Sequence, residues 1–274
     1  VFGTTNGYPC CLANMHQGWP KFVQNLWYAT PDKGLAAIVY GPSSVKARVA
    51  GGMEVQFVEK TDYPFSGKIE FTCSIKTPAK FSLHLRIPSW CGEANITDNN
   101  ILFKKAKGGE VVIINHEWKD GDVVVLELPM EIRLSRWFEK SLGIERGPLV
   151  YALKVSEEWN ERTDSNCDDT FWEVLPASAW NFGIPAATAD SRDFKVSVCD
   201  KVSNMPWNLA NAPIQISTKG KKIPYWSLYE NSAGKVPYSP YPHRDLGTPV
   251  EEIILVPYGC TTLRIAEFPV VDVH

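Results

Sequence analysis

The sequence predicts a mainly β fold, built from antiparallel β-sandwich domains that follow a short helical segment. Three observations carry this expectation. Between Leu35 and Val155, apolar and polar residues alternate with a two-residue period in one short run after another, the pattern of half-buried strands. Turn signals separate the runs at Gly51-Gly52, Thr77-Pro78, Gly108-Gly109 and Lys119-Asp120-Gly121-Asp122. Nothing between them is long enough to be a crossover helix, which argues against a parallel βα repeat.

At the start of the chain the period is different. Apolar residues recur at Met15, Trp19, Phe22, Val23, Leu26 and Trp27, the three-and-four spacing of a helix that buries one face. Pro20 kinks or restarts that helix, and Pro31-Asp32-Lys33-Gly34 ends it. The adjacent cysteines Cys10 and Cys11 fall where the helix begins. Free backbone N–H groups and the helix dipole favour a thiolate there. The pair has three readings: two small buried hydrophobes, a strained vicinal disulfide, or a shared soft metal such as zinc with both sulfurs about 2.3 Å from the ion. His16 is the only close imidazole, and no nearby residue completes a metal site.

The strands then follow in order: Leu35 to Tyr40, Ser44 to Val49, Met53 to Val58, Lys68 to Ile75, Lys80 to Ile87, Glu110 to Asn115, Asp122 to Leu128, Glu131 to Trp137 and Pro148 to Val155. The alternation is clearest at Phe81, Leu83, Leu85 and Ile87, which share one face, while Ser82, His84 and Arg86 share the other. That places His84 on the sheet surface. From residue 156 the texture changes. Glu157 to Asn166 reads as a polar linker, and strand signals return at Phe194 to Val198, Ile214 to Thr218, Ile223 to Tyr229, Glu251 to Pro257 and Thr261 to Phe268. Val236 to His243 is too rich in proline for regular structure. The expected organisation is a helical segment over 1–34, a first sandwich over 35–155 and a second, smaller one over 156–274.

Aromatic residues including Trp90, Trp118, Trp137, Trp172, Trp180, Trp207, Trp226, Tyr238 and Tyr241 either fill cores or offer a platform for sugar rings. Asp120 and Asp122 flank Gly121 and read as turn residues. Glu145 is placed to pair with Arg146, and neither these acids nor Asp245 forms an evident two-carboxylate glycosidase pair. The other cysteines, Cys73, Cys91, Cys167, Cys199 and Cys260, bring the total to an odd seven without the spacing of a disulfide framework. A net charge of −3 and the lack of basic runs give no electrostatic reason to expect nucleic acid, and no apolar stretch approaches the roughly 20 residues of a membrane span.

One further pattern spans the chain. The run Asn6-Gly7-Tyr8-Pro9-Cys10-Cys11, continued by Asn14-Met15-His16-Gln17-Gly18-Trp19-Pro20-Lys21-Phe22, resembles the Cys-Cys segment of the glycoside hydrolase family 127 type, the β-L-arabinofuranosidase-like proteins. Tyr63 to Lys68, Leu85 to Trp90, Trp118 to Asp122, Glu145 to Tyr151 and Leu255 to Cys260 resemble that family in the same order. The resemblance implies the C-terminal portion of a larger enzyme, with residues 1–34 as the end of a catalytic (α/α)6 barrel. It implies Cys10 as nucleophile and zinc ligand and Cys11 as a second zinc ligand. The remaining ligands, a glutamate and a cysteine, and the glutamate acting as general acid/base would lie upstream of Val1. The expected parent is a zinc-dependent retaining hydrolase of arabinofuranosides or related plant-type glycans, with an oligosaccharide substrate and a β-sandwich available for homodimer contacts. The 274 residues alone would be inactive and hold zinc weakly or not at all. The competing expectation is a non-catalytic sandwich that binds carbohydrate or mediates dimerisation. The compartment, periplasmic or cytoplasmic, stays open.

Overall fold

The computed structural model describes residues 2–3, 9–164, 169–241 and 247–272. Cys167, His243, Asp245 and the Asn6-Gly7-Tyr8 part of the opening motif lie outside these. The chain divides into two compact units, residues 11–131 and residues 1–10 with 132–274.

The chain opens on β1 (Phe2–Gly3), α1 (Pro9–Met15) and α2 (Gly18–Gln24). The continuous amphipathic helix expected here is therefore two helices of seven residues, parted by a turn at His16 and Gln17. Pro20 sits in the first turn of α2, where its missing N–H removes no helical hydrogen bond. The expected buried face is exposed: Met15 at 73%, Trp19 at 72% and Val23 at 62%, with only Leu26 (3%) buried outright. Trp27 belongs to a strand. The helical period was real, but within the described residues most of its apolar face has no core to enter.

Residues 11–131 continue with β2 (Trp27–Ala29), β3 (Leu35–Ala37), β4 (Ser43–Val49), β5 (Met53–Thr61), β6 (Lys68–Ile75), β7 (Ala79–Arg86), β8 (Glu93–Asp98), β9 (Ile101–Lys107), β10 (Val111–Trp118) and β11 (Val123–Glu127). Two sheets form, in the orders β10-β7-β3-β2 and β4-β5-β6-β11-β8-β9. Every pairing is antiparallel except β3 with β7. Their inner faces share one apolar core, as two-residue alternation requires. Phe81, Leu83, Leu85 and Ile87 come from one sheet, and Phe57, Ile69, Phe71 and Cys73 from the other. At the centre the fully buried Trp118 indole stacks on Phe81 at 5.6 Å, meets Phe57 edge-on at 5.1 Å and donates Nε1–H to the Phe81 carbonyl at 3.1 Å.

The hairpin β8–β9 has no counterpart in the sequence expectation. Its turn, Asn99-Asn100, has positive φ at both residues (47° and 67°), as a two-residue hairpin demands. Its outer strand exposes Ile101, Leu102 and Phe103, so no alternation marked it. Asn95-Ile96-Thr97, a glycosylation-like triplet, lies inside β8, paired on both sides by β9 and β11.

The other unit contains β12 (Ile132–Arg136), β13 (Leu142–Arg146), β14 (Leu149–Leu153), β15 (Glu157–Asp164), β16 (Asp169–Pro176), β17 (Phe182–Pro185), β18 (Lys195–Val198), β19 (Ile214–Lys222), β20 (Leu228–Tyr229), β21 (Ser232–Ala233), β22 (Val250–Pro257), β23 (Glu267–Phe268) and β24 (Val270–Val271). Its main sheet runs β12-β13-β14-β22-β19-β17-β24, with β18 on β19 and β23 on β13. Ile144, Tyr151, Ile216, Leu255 and Phe268 are wholly buried.

Two expectations need correction here. The division falls after Glu131 rather than after Val155, because β14 hydrogen-bonds to β22, about a hundred residues downstream, and carries β12 and β13 with it. The supposed linker at 157–166 begins as strand. β15 pairs with β16 along its length, and β1 joins them in a three-stranded sheet. Polar residues line both of its faces, so backbone pairing rather than an apolar side defines it.

Candidate functional site

Cys10 and Cys11 occupy the second and third positions of α1, and both are exposed. Adjacent helical residues point about 100° apart, so one metal ion could meet both sulfurs only from outside the helix. Among the described residues no group of three or more His, Cys, Asp and Glu side chains could hold a metal ion. Two sulfurs are half of the tetrahedral set that zinc takes. The described residues by themselves therefore do not make a zinc site.

His84 is more enclosed than a surface residue. Its side chain is 17% exposed, and Nε2 lies 3.1 Å from both Asp32 Oδ2 and Ser82 Oγ. Ser82 also donates to Asp32 Oδ2 at 2.7 Å. Serine, histidine and aspartate thus meet, but not as a hydrolytic relay, which needs the imidazole between the other two and a different ring nitrogen for each. The cluster ties the β2–β3 turn to β7. Hydrogen bonds from Thr30, Ser82 and His84 hold the Asp32 carboxyl well below the usual carboxylate range.

Asp120 and Asp122 are turn residues, as expected. Asp120 Oδ1 accepts from Ile75 N at 3.1 Å, and Asp122 Oδ2 accepts from Lys119 N at 2.7 Å. His116 also bridges Asp98 and Asp122, one ring nitrogen 3.3 Å and the other 3.2 Å from a carboxylate oxygen. Glu145 pairs with Arg133 across the β12–β13 register, not with Arg146. The tryptophans divide: Trp118 and Trp226 are core, whereas Trp19, Trp137, Trp159, Trp172 and Trp207 are each at least 41% exposed.

The sequence reading missed Glu59, a carboxyl only 2% exposed. Oε1 accepts from Gly41 N and Oε2 from Ser43 Oγ, each at 3.0 Å, and Ser43 Oγ in turn accepts from Trp27 Nε1 at 3.1 Å. The signal was present, because Val55, Phe57 and Glu59 occupy successive inward positions of β5. Burial pushes the carboxyl up to about 7, more than the two hydrogen bonds pull it down. A group raised in the folded state contributes stability that is complete below its unfolded pKa, near 4.5, and lost as pH rises through the folded value. Between pH 4.5 and 8 the wild type is expected to lose roughly 3 kcal/mol through this group. Glu59→Gln keeps the shape without the charge, so it should match the wild type near pH 5 and exceed it at pH 8. Urea unfolding at the two pH values measures this, and an equal pH dependence in both proteins would refute it.

Two concavities are lined by no cysteine. One of about 950 Å³ lies on the first unit and includes Lys46, Arg48, Gln56, Ser74 and Lys76 in its lining. The other, of about 290 Å³, lies on the second unit against Arg136, Lys140, Ser239, Pro240 and Val270.

The arrangement as a whole is that of antiparallel β domains behind a short helical lead. Residues 34–130 match the family model described as beta-L-arabinofuranosidase, GH127 middle domain. Solved structures extend the likeness over nearly the whole chain. A GH127 beta-L-arabinofuranosidase from Geobacillus stearothermophilus T6 superposes with a TM-score of 0.64 at 22% identity, over 97% of this chain and 37% of that one. A protein described as a glycoside hydrolase gives 0.62 at 22%, over 96% and 40%. A GH127 beta-arabinofuranosidase gives 0.62 at 18%, over 95% and 38%. No curated protein matches the chain. At these identities the structures establish a shared fold, and the chain spans about two fifths of their length. The resemblance drawn from the ordered sequence motifs is thereby borne out.

Proposed function

We propose that residues 1–274 are the C-terminal, β-rich part of a retaining glycoside hydrolase that cleaves arabinofuranosides or related plant-type glycans, and that the opening helices are the end of its catalytic barrel. The observation that supports this most is the GH127 middle-domain match at 34–130, set within a fold that covers almost all of this chain but only 37–40% of its structural neighbours. The exposed apolar face of α2 fits the same reading, since Trp19, Phe22 and Val23 would pack against barrel helices from the rest of the polypeptide.

In this reading Cys10 attacks the anomeric carbon. A C–S bond forms as the glycosidic C–O bond breaks, and a glutamic acid from the upstream domain gives its proton to the leaving oxygen. The resulting carboxylate then takes a proton from water, whose oxygen displaces the sulfur and frees the sugar with retained configuration. Bound zinc would keep Cys10 in its reactive thiolate form, with Cys10 and Cys11 as two of its ligands and the others from upstream residues.

The 274-residue chain is expected to release no product from an aryl β-L-arabinofuranoside, while the enzyme at its native length does so. Both are assayed by leaving-group absorbance. Hydrolysis by the short chain, retained after Cys10→Ala, would sink the mechanism.

A further inference from the structure

The two sheets of residues 11–131 turn very different outer faces to solvent. On the outer side of β4-β5-β6-β11-β8-β9, two-residue alternation places Lys46, Arg48, Glu54, Lys60, Glu70 and Glu127, the charged surface expected where an antiparallel sheet meets water. The outer side of β10-β7-β3-β2 is different. Its register sets Tyr28, Ala36, His84 and Ile113 in one row across all four strands. Their chain neighbours Trp27, Leu35, Leu83, Val112 and Ile114 pack on the core side, so this row faces outward. Ala36 is buried, but Tyr28 is 45% exposed and Ile113 53%, and Val111, which lies opposite Arg86 on the same face, is 50% exposed.

The polar groups of that face already have partners. Asp32, Ser82 and His84 bond to one another, Arg86 Nε donates to the Ile38 carbonyl at 2.6 Å, and Lys80 stands opposite Glu117 at the far end of the β7–β10 register. The side chains left open to solvent beside them are the apolar ones. The face also continues into α2. Tyr28 donates its hydroxyl to Asn25 Oδ1, and Asn25 caps the helix, its N donating to the Phe22 carbonyl at 3.0 Å and its Nδ2 to the Lys21 carbonyl at 2.6 Å. Ile38 N donates to the Leu26 carbonyl at 3.0 Å and ties the same helix end to the strand region after β3. Tyr28 therefore links the row that ends in Ile113 to the helix that exposes Trp19, Phe22 and Val23.

We propose that the outer face of β10-β7-β3-β2, at Tyr28, Val111 and Ile113, is a docking surface for the polypeptide upstream of Val1, and that it forms one continuous interface with α2. The inference rests on the reading of this chain as the C-terminal part of a larger hydrolase, and it adds a second contact, on the sheet, to the one at the helix. Protein interfaces are distinguished by loss of charge at their centre rather than by bulk hydrophobicity, and that loss is what separates this sheet face from the charged one. The occupant follows from length and continuity. The structural neighbours carry 60–63% of their chains outside the part shared with this one, as 100 less the 37–40% covered. In that reading α2 is covered by the upstream domain, so a face joined to α2 through Tyr28 and Asn25 calls for no second partner.

Hydroxyl-radical footprinting, read by mass spectrometry, tests this by comparing side-chain oxidation in the enzyme at its native length and in the 274-residue chain. Tyr28 and Ile113 are expected to react about fivefold more slowly in the native-length enzyme, as side chains at an interface centre lose contact with water. Leu228, exposed on the other unit, should react equally in both, and the buried Trp118 should stay protected in both, which reports that each is folded. Trp19 separates this inference from the reading beneath it. Slow oxidation of Trp19 alone, with Tyr28 and Ile113 equally reactive in the two proteins, would overturn the docking face and leave the larger hydrolase standing, whereas no protection at any of the three would overturn both. Protection within the 274-residue chain that grows with its concentration would assign the face to a second copy and also overturn the proposal. Ile113→Lys gives an independent reading. It should lower the melting temperature of the native-length enzyme by about 5 °C, because the charge would be buried there, and that of the 274-residue chain by no more than about 1 °C. Equal shifts in the two would count against the docking face.

Discussion

Replacing Cys10 by alanine in the enzyme at its native length is expected to lower kcat for a β-L-arabinofuranoside by about 10³-fold or more. Removing a covalent nucleophile leaves only the stabilisation supplied by substrate binding and the remaining groups, and losses of that order or larger follow in enzymes that work this way. KM should change little, because the sulfur reacts with the anomeric carbon rather than gripping the rest of the sugar. Cys11→Ala should lower kcat through bound zinc alone, measured by metal analysis, whereas Cys10→Ala removes the nucleophile and a ligand together. A Cys10→Ala enzyme within tenfold of the wild type would remove the thiolate from the mechanism, whatever the metal content.

The second large effect concerns the fold. Trp118→Ala should destabilise the chain by roughly 4 kcal/mol, since removing a fully buried indole leaves a cavity. It also strips the Phe81 carbonyl of a buried hydrogen bond. Trp19→Ala, at a residue 72% exposed, should stay within about 0.5 kcal/mol of the wild type. Denaturant unfolding compares them directly. A loss below about 1 kcal/mol at Trp118 would mean that the two sheets do not pack through this core.

These two residues also mark the limits of legibility. Trp118 ends β10, three residues past the strand that the sequence marked at Glu110 to Asn115, and the strands around it, β5, β6, β7 and β11, were all readable because each presents one apolar face to a shared core. Strands without such a face were not. β9 is an edge strand with exposed apolar residues, and β15 is polar on both sides. Their pairing depends on backbone groups, which every sequence carries. At α2 the three-and-four spacing was read correctly as an apolar face, yet no element among the described residues covers it. The division between the units failed for a related reason, because the pairing of β14 with β22 joins segments that no local pattern connects.

The candidate sites divide in the same way. Cys10 and Cys11 stood out because adjacent cysteines at a helix start are unusual chemistry, and the motif around them carried the family resemblance. Glu59 was legible in principle, as an acid continuing the inward series Val55, Phe57. Arg136 and Lys140 were not, for their cavity exists only where the 137–141 loop meets Ser239 and Pro240, about a hundred residues away.

The most direct test of the account is the intact mass and N-terminal sequence of the protein as its own source makes it. A barrel of twelve helices with its connections needs roughly 300 residues or more. The account predicts a polypeptide that extends upstream of Val1 by about that length. A native chain beginning near Val1 would contradict it, and the β domains would then have to be explained as a binding or structural protein with no catalytic domain of their own.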